Sequence, residues 1–241
     1  MLVTKNVYQL SGRRGARPWG ANTFLLLDNS VTVVDTGLGG NSANILNEVR
    51  RLGYKPSDVA HIILTHHHAD HVGSLAGLKK ATGAKVMAHP ADAPYIDGGL
   101  PQPGPARPKW LTRMLSPFSR MWASIPAEVD KLLNDGDELP MLGGIKIWHT
   151  PGHTPGSICL FIPQEKLVIV GDLLSNRFSP SLPSRIFTVD MIQEVNSIKK
   201  LASLDFDIIA FGHGRPVLRE ARQAITRLAE KLESKYKAEG R

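Results

Sequence analysis

The sequence predicts an α/β fold, because short apolar runs typical of buried strands alternate with segments of helical periodicity. A β-hairpin is predicted first, where the apolar runs 22–27 and 31–34 flank a turn-forming triplet at 28–30. A helix is predicted next, because apolar residues recur with helical spacing over residues 41–52. The same alternation returns in the second half of the chain.

The remaining elements are predicted from the same two patterns. Residues 1–10 favour a strand, and further apolar runs predict strands at 61–64, 84–88, 145–148, 157–162, 167–170 and 207–210. Helical spacing predicts helices at 72–80, 190–203 and 217–237. The length of 241 residues fits one large domain or two small ones.

The two halves of the sequence show a weak internal similarity. The apolar runs 31–35 and 168–172 both end at an Asp, and each precedes, by about 30 to 40 residues, a run that ends at a His. In an open α/β sheet such strand ends meet at one rim, which is where sites commonly form. Chance resemblance between buried strands is the alternative interpretation.

Residues 98–108 interrupt the alternation, since seven of these eleven residues are Gly or Pro, which is typical of a loop. Apolar residues at helical spacing follow in 109–124, and we predict an apolar, cap-like insert at about 98–135. Trp110, Phe118 and Trp122 in this insert are candidate substrate-binding residues. Ordinary core or a dimer interface is an equally reasonable interpretation, so a homodimer is considered.

Composition narrows the function classes. No run approaches the roughly 20 apolar residues of a membrane span, and no secretory signal is predicted at the N-terminus. The single cysteine, Cys159, excludes an internal disulfide and favours the cytoplasm. The formal charge of +7 raises the question of nucleic acid. However, the basic residues are scattered or mixed with Glu, so we do not expect nucleic acid to be the partner.

Residues 65–71 (THHHADH) directly follow a predicted strand and contain more metal-ligand residue types than packing requires. In an extended backbone His66 and His68 point the same way and can bind one metal ion, while His67 points away. Asp70 and His71 can then turn towards a second ion. Imidazole and carboxylate suit zinc, and manganese or iron also accept such mixtures. A histidine-rich surface loop is the alternative.

Three further candidates follow later in the chain. His153 lies in a predicted turn (TPGHTPG), Asp172 ends the apolar run LVIVGD, and His213 lies in FGHG just past a strand. Each of them alone is more often a turn or cap residue than a ligand. We treat His61, His89 and His149 as structural histidines.

The segments THHHADH, PGHTPGS, GD and FGHG, in this order, resemble the motifs of the metallo-β-lactamase superfamily. The resemblance implies a single domain over residues 1–241, built as a four-layer αββα sandwich with the site at one edge. It also implies two divalent metal ions, most often zinc, which together hold a hydroxide that attacks the substrate.

The same resemblance implies a role for each matching residue. One ion would be bound by His66, His68 and His153, and the other by Asp70, His71 and His213, with Asp172 bridging both. Asp70 would assist the nucleophile or the leaving group, so Asp70 and Asp172 are the catalytic candidates. Asp35 resembles the family's buried aspartate that orients a ligand histidine; a strand-end turn former is the alternative.

Within this family we predict hydrolysis of a carboxylic ester, lactone or thioester, with a small acyl-bearing molecule as substrate. Only 28 residues follow His213, fewer than the C-terminal region of a glyoxalase II requires. Ser175 stands where the best-known lactonases have a tyrosine. Phosphodiester or RNA hydrolysis, and persulfide oxidation by a single iron ion, are the alternatives. Metal analysis and salt-sensitive RNA binding would separate the three.

Overall fold

The computed structural model describes residues 1–11, 20–106 and 124–239. Seven strands form the first sheet in the order of the chain: β1 (Leu2–Thr4), β2 (Val7–Leu10), β3 (Thr23–Leu27), β4 (Val31–Val34), β5 (Val59–Ile63), β6 (Lys85–Ala88) and β7 (Lys131–Leu132). Five strands form the second sheet in the order β12-β11-β10-β9-β8: β8 (Glu138–Leu139), β9 (Ile145–His149), β10 (Ile158–Ile162), β11 (Leu167–Ile169) and β12 (Ile208–Ala210).

Helices cover the outer face of each sheet. The described α-helices are α1 (Ser42–Arg51), α2 (Ala69–Val72), α3 (Leu75–Thr82), α4 (Ala93–Ile96), α5 (Met191–Ala202) and α6 (Ala221–Glu239). No helix in the described ranges is long and apolar enough to cross a membrane.

Three apolar clusters separate four layers. The central cluster joins inward-facing residues of both sheets, such as Phe24 of β3 and Leu160 of β10. A second cluster packs α1 and α3 against the first sheet, and a third packs α5 and α6 against the second. In β10 alternate residues face the central and the outer cluster, because side chains alternate along a strand. The predicted αββα sandwich is confirmed.

Parallel pairing brings the candidate residues to one edge. Strands β4, β5 and β6 are parallel neighbours in the first sheet, and β11 and β12 are parallel in the second. Their carboxyl ends therefore lie side by side, and Asp35, Thr65, Asp172 and His213 follow these ends. The amide of Ile158 donates to the carbonyl of Thr65 at 2.9 Å and joins the two sheets at this edge.

Several boundaries differ from the prediction. Residues 1–10 form a pair of short antiparallel strands, and the helix predicted at 72–80 is divided into α2 and α3. The final helix begins at Ala221 and not at 217, because Val217 exchanges two backbone hydrogen bonds with Ile209 in the adjoining strand. Loop 98–108 contains no regular element within its described part.

The insert proposed at about 98–135 stays a prediction, but its last residues belong to the first sheet. Lys131–Leu132 pair with β6 as the last strand of the sheet, and Leu133 is fully buried in the central core. Trp110, Phe118 and Trp122 lie outside the described residues, and their proposed contact with substrate stays a prediction.

Candidate metal centre

The motif at 65–71 changes from strand to helix at its midpoint. Backbone dihedrals of His68 are extended (φ −64°, ψ 145°), and α2 begins at the next residue. Asp70 and His71 therefore occupy the first helical turn, where their side chains leave the backbone in a different direction from those of His66 and His68. This change of conformation lets one short segment contribute to two neighbouring groups of ligand-type residues.

The first group contains His66, His68 and His153, whose candidate ligand atoms all lie within 4.8 Å of one another. The Nε2 atom of His153 is 3.0 Å from Nδ1 of His68. His153 is placed by a turn that requires glycine at position 152, where φ is +143°. A Cβ atom at Gly152 would lie 2.3 Å from the backbone nitrogen of Glu194 in α5.

The second group contains Asp70, His71 and His213. His213 Nε2 lies 3.1 Å from Asp70 Oδ2, and Asp172 lies between the two groups. One Asp172 oxygen is 3.3 Å from His71 Nε2, and the other is 3.2 Å from His213 Nε2 and 3.7 Å from His153 Nε2. All seven predicted ligands therefore lie together at the edge of the sandwich.

These donor atoms fit a metal ion. Among the described residues, His66 Nε2, His71 Nε2 and Asp172 Oδ1 are buried and have no hydrogen-bond partner. Buried polar atoms are normally satisfied, so a cluster of unpartnered imidazole and carboxylate atoms needs an explanation. A divalent ion is one, since neutral imidazole nitrogen and carboxylate oxygen are its usual ligands.

Burial lowers the pKa of all three histidines in the first group. The pKa values of His66 and His68 fall well below the usual histidine value, and that of His153 falls to about 4. Neighbouring imidazoles lower them further. These side chains are therefore neutral near pH 7, which is the form that binds a metal ion.

The second group favours positive charge. Burial alone would raise the pKa of Asp70, but His71 and a hydrogen bond from His213 lower it to about 2. Burial would lower the pKa of His213, yet Asp172 and Asp70 raise it to about 9. Burial would also raise the pKa of Asp172, but His213 and His71 hold it well below its usual range. Asp70 and Asp172 are thus ionised near neutral pH, and they attract a cation, either a proton on a histidine or a metal ion.

Asp35 contacts both Thr65 and His71. The backbone amide and the hydroxyl of Thr65 donate to Asp35 Oδ1 and Oδ2, both at 2.8 Å. His71 Nδ1 lies 2.7 Å from Asp35 Oδ2. This contact uses Nδ1 and leaves Nε2 directed at Asp70 and Asp172.

His67 lies outside the two groups, as its alternation in the motif predicts. Its ring stacks on Tyr95 with centroids 4.5 Å apart, and its Nδ1 is 3.0 Å from Asp92 Oδ2. Sequence reasoning missed Asp92. The signal available was the same as for Asp35 and Asp172, an Asp shortly after a predicted strand, but no metal-ligand motif surrounds it.

The other predicted structural residues have partners elsewhere. His89 and His149 stack on each other with centroids 4.0 Å apart, and His149 Nε2 contacts the carbonyl of Pro155. His61 belongs to β5 and is in none of the candidate metal groups found among the described residues. Burial raises the pKa of the Cys159 thiol to about 12, so it is not an activated nucleophile.

A cavity of about 690 Å³ opens onto both groups. Leu38, Leu182 and Phe187 contribute apolar surface to its wall. Gln102 and Arg177 contribute polar groups, and Arg177 is the only Lys or Arg among the described residues of the lining.

The pattern of motifs and the fold are both found in known proteins. A family model described as the metallo-beta-lactamase superfamily matches residues 16–213. The chain belongs to the metallo-β-lactamase superfamily. Proteins of this superfamily are metal-dependent, and the chain is accordingly a metal-dependent hydrolase by family, with candidate ligand groups in place.

Relatives within the superfamily include hydrolases. The chain is 32% identical over 223 residues to "Probable metallo-hydrolase YflN" of Bacillus subtilis, covering 86% of this chain and 84% of that protein. It is 35% identical over 145 residues to a hydroxyacylglutathione hydrolase of Pseudomonas aeruginosa, which covers 59% of this chain but only 42% of that enzyme. A metallo-beta-lactamase family protein of Thermus thermophilus, TTHA1429, shares the fold with a TM-score of 0.75 at 24% identity, over 98% of this chain and 82% of that one.

Proposed function

We propose that this metallo-β-lactamase superfamily member hydrolyses a carboxylic ester, lactone or thioester at a two-metal site. The observation that carries the proposal is the position of Asp172 between two groups of ligand-type residues that open onto one partly apolar cavity. Hydroxyacylglutathione hydrolases are among its relatives, and an acyl group carried on the sulfur of glutathione is a thioester.

The proposed ligands divide between two ions. His66, His68 and His153 would hold the first, Asp70, His71 and His213 the second, and Asp172 would contact both. Zinc suits these ligands best, with manganese or iron as alternatives. When bound, such ions lower the pKa of water towards about 7 and polarise the scissile carbonyl.

The residues of the chain then have distinct tasks. Asp70 has 31% of its side-chain surface exposed, and it lines the cavity, so it can accept a hydrogen bond from the attacking water. Asp172 is much more buried, and its two oxygens lie 3.3 Å from His71 Nε2 and 3.2 Å from His213 Nε2, so it would share the ion that these two histidines bind. Asp35 holds the Nδ1 side of His71 and so keeps Nε2 turned towards the centre.

The cavity supports an acyl substrate. Apolar surface from Leu38, Leu182 and Phe187 can hold an alkyl or aryl acyl chain beside the candidate ligands. Arg177 at the same wall would favour a substrate that carries an anionic group.

Phosphodiester hydrolysis is the second candidate, supported by Arg177 in the cavity and by the formal charge of +7. The same ligands can polarise a phosphoryl oxygen in place of a carbonyl oxygen. Oxidation of a persulfide at one iron ion is the third, and it requires that the second group bind no metal.

A substrate panel on protein reconstituted with Zn²⁺, Mn²⁺ or Fe²⁺ tests these assignments. The panel contains lactones, thioesters, aryl esters, an aryl phosphodiester and a persulfide, and Asp172→Asn is the control for contaminating activity. We expect turnover of at least one carboxylic ester, lactone or thioester and none by the variant. Exclusive turnover of the phosphodiester, or activity with one iron ion per chain on a persulfide, would refute the proposal.

A further inference from the structure

The carboxylate of Asp92 does not cap the helix that Asp92 precedes. Asp92 directly precedes α4, where an Asp normally accepts hydrogen bonds from the first turn of its own helix. No side-chain cap is present here. The side chain is instead buried, with 1% of the residue exposed, and it faces two loops that carry candidate metal ligands.

One of these loops is the histidine motif. Asp92 Oδ2 accepts the backbone amide of His67 at 2.9 Å and lies 3.0 Å from His67 Nδ1. His67 stands between His66 and His68 in the chain, and its ring stacks on Tyr95. The amide and the ring of His67 are thus fixed together between two candidate ligands.

The other loop follows His153. Asp92 Oδ2 also accepts the hydroxyl of Thr154 at 2.8 Å, and Oδ1 accepts the amide of Gly156 at 2.7 Å. The contact is tight, because a Cβ atom at Gly156 would lie 2.6 Å from the Asp92 carboxyl carbon. One side chain therefore joins loops that are more than 80 residues apart in sequence.

Among the described residues, the hydrogen bonds of the Asp92 side chain involve only the segments that carry the first group of candidate ligands. The three members of this group, His66, His68 and His153, are each adjacent in sequence to a residue that Asp92 holds. None of the hydrogen bonds found for the Asp92 side chain in the described chain reaches Asp70, Asp172 or His213.

We propose that Asp92 is a positioning residue that sets the distance between the His66–His68 loop and the His153 loop, and so controls the affinity of the first metal site. The inference rests on the proposed function in one respect, that these three histidines bind an ion. Removing the carboxylate would leave three donors without a common acceptor, and each loop would then relax separately.

The test is a metal titration of the full chain, with Asp92→Asn and Asp92→Ala compared to wild type. Competition between the apoprotein and a chromophoric chelator gives the Zn²⁺ dissociation constant for each equivalent. We expect one equivalent to bind roughly 10- to 100-fold more weakly in Asp92→Ala, with the other unchanged. Asp92→Asn should lie between the two, since its amide oxygen keeps one acceptor.

Asp130→Asn is the matched control. Asp130 accepts the amide of Val86 in β6 at 2.7 Å and contacts Lys79 in α3 at 2.9 Å, so like Asp92 it joins two segments, but it holds no candidate ligand. The Asp130→Asn substitution should lower the thermal midpoint of the apoprotein without changing the dissociation constant of either Zn²⁺ equivalent. This separates loss of stability from loss of positioning.

Thr154→Val keeps the test decisive if both Asp92 variants fail to fold. It removes the hydroxyl that donates to Asp92 and also contacts the Ser157 hydroxyl, with little change in shape, and it should weaken the same equivalent several-fold. Folded variants that bind both equivalents with wild-type affinity would overturn the proposal. Wild-type protein that binds metal normally but hydrolyses nothing in the panel would overturn the proposed function instead and leave this comparison valid.

Discussion

The Nδ1 atom of His71 lies 2.7 Å from Oδ2 of Asp35, and both side chains are fully buried. Asp35 has a left-handed backbone, with φ of +58°, and its carboxylate contacts His71 in the single turn of α2. A non-glycine residue in this region is uncommon, although Asp and Asn tolerate it better than other residues. The backbone of β4 and the orientation of a candidate ligand are therefore coupled through one residue.

This coupling makes Asp35→Asn the informative substitution, because Asn tolerates the same backbone dihedrals. We expect roughly 10- to 100-fold weaker binding of one metal equivalent and a similar loss in kcat/KM. Asp35→Ala should also reduce thermal stability, since it leaves the Thr65 amide without its acceptor. Zinc titration and differential scanning calorimetry measure the two effects. Unchanged metal affinity in Asp35→Asn would limit Asp35 to a turn-forming role.

The seven candidate ligands predict about two metal ions per chain, and His153→Ala should reduce this to about one. Elemental analysis of dialysed, reconstituted protein measures the number. Asp172→Ala should reduce the content of both ions, because its two oxygens contact members of both groups. Wild-type protein with one ion, unaffected by Asp172→Ala, would contradict the bridging role.

Substitutions at His67 and His68 distinguish a proposed metal ligand from a residue that only positions the ligands. We expect His68→Ala to abolish hydrolysis, because it removes a proposed ligand. His67→Ala should keep measurable activity, although less than a surface substitution, since it loses its contacts with Asp92 and Tyr95. His67→Phe should keep more, because an aromatic ring can still stack on Tyr95. Equal inactivity of folded His67→Ala and His68→Ala would refute the alternation argument.

Gly212 has no space for a side chain beside the metal centre. A Cβ atom there would lie 2.2 Å from Asp172 Oδ1, whereas one at Gly39 would have its nearest contact at 3.7 Å. Neither glycine has a positive φ, so space alone separates Gly212→Ala from Gly39→Ala. We expect the first to lose metal and activity and the second to lose little. Elemental analysis and kcat/KM on the same preparations check this, and equal behaviour would contradict it.

Substitution of Phe187 tests whether the apolar wall of the cavity binds the acyl chain. Each methylene buried in an apolar cavity contributes about 0.8 kcal/mol, close to fourfold in kcat/KM, until the cavity is full. Phe187→Ala should flatten the rise of kcat/KM with acyl-chain length while leaving metal content unchanged. Phe178→Ala is the matched control, because Phe178 is 102% exposed and lies outside the described cavity lining. A slope that survives Phe187→Ala would exclude this wall from acyl binding.

The order of elements and the position of the site could be predicted from the sequence. A strand buried on both faces, such as β10, is a short continuous apolar run, and its length and the turn residues around it predict it without coordinates. Asp35, Asp172 and His213 follow apolar strands, and parallel strands end at one edge of a sheet. Residue type and strand-end position identified the seven candidates, and the resemblance to the family's motifs implied that they are ligands of two ions.

Only the tertiary structure added Asp92 to Asp35 among the residues that support these ligands. Asp92 contacts Thr154 across 62 positions of the chain, and the start of α6 depends on the pairing of Val217 with Ile209. No local pattern encodes such contacts, because they arise when two sheets and their helices pack together. Local sequence determines which residues are capable of an interaction, whereas packing determines the partner that each one meets.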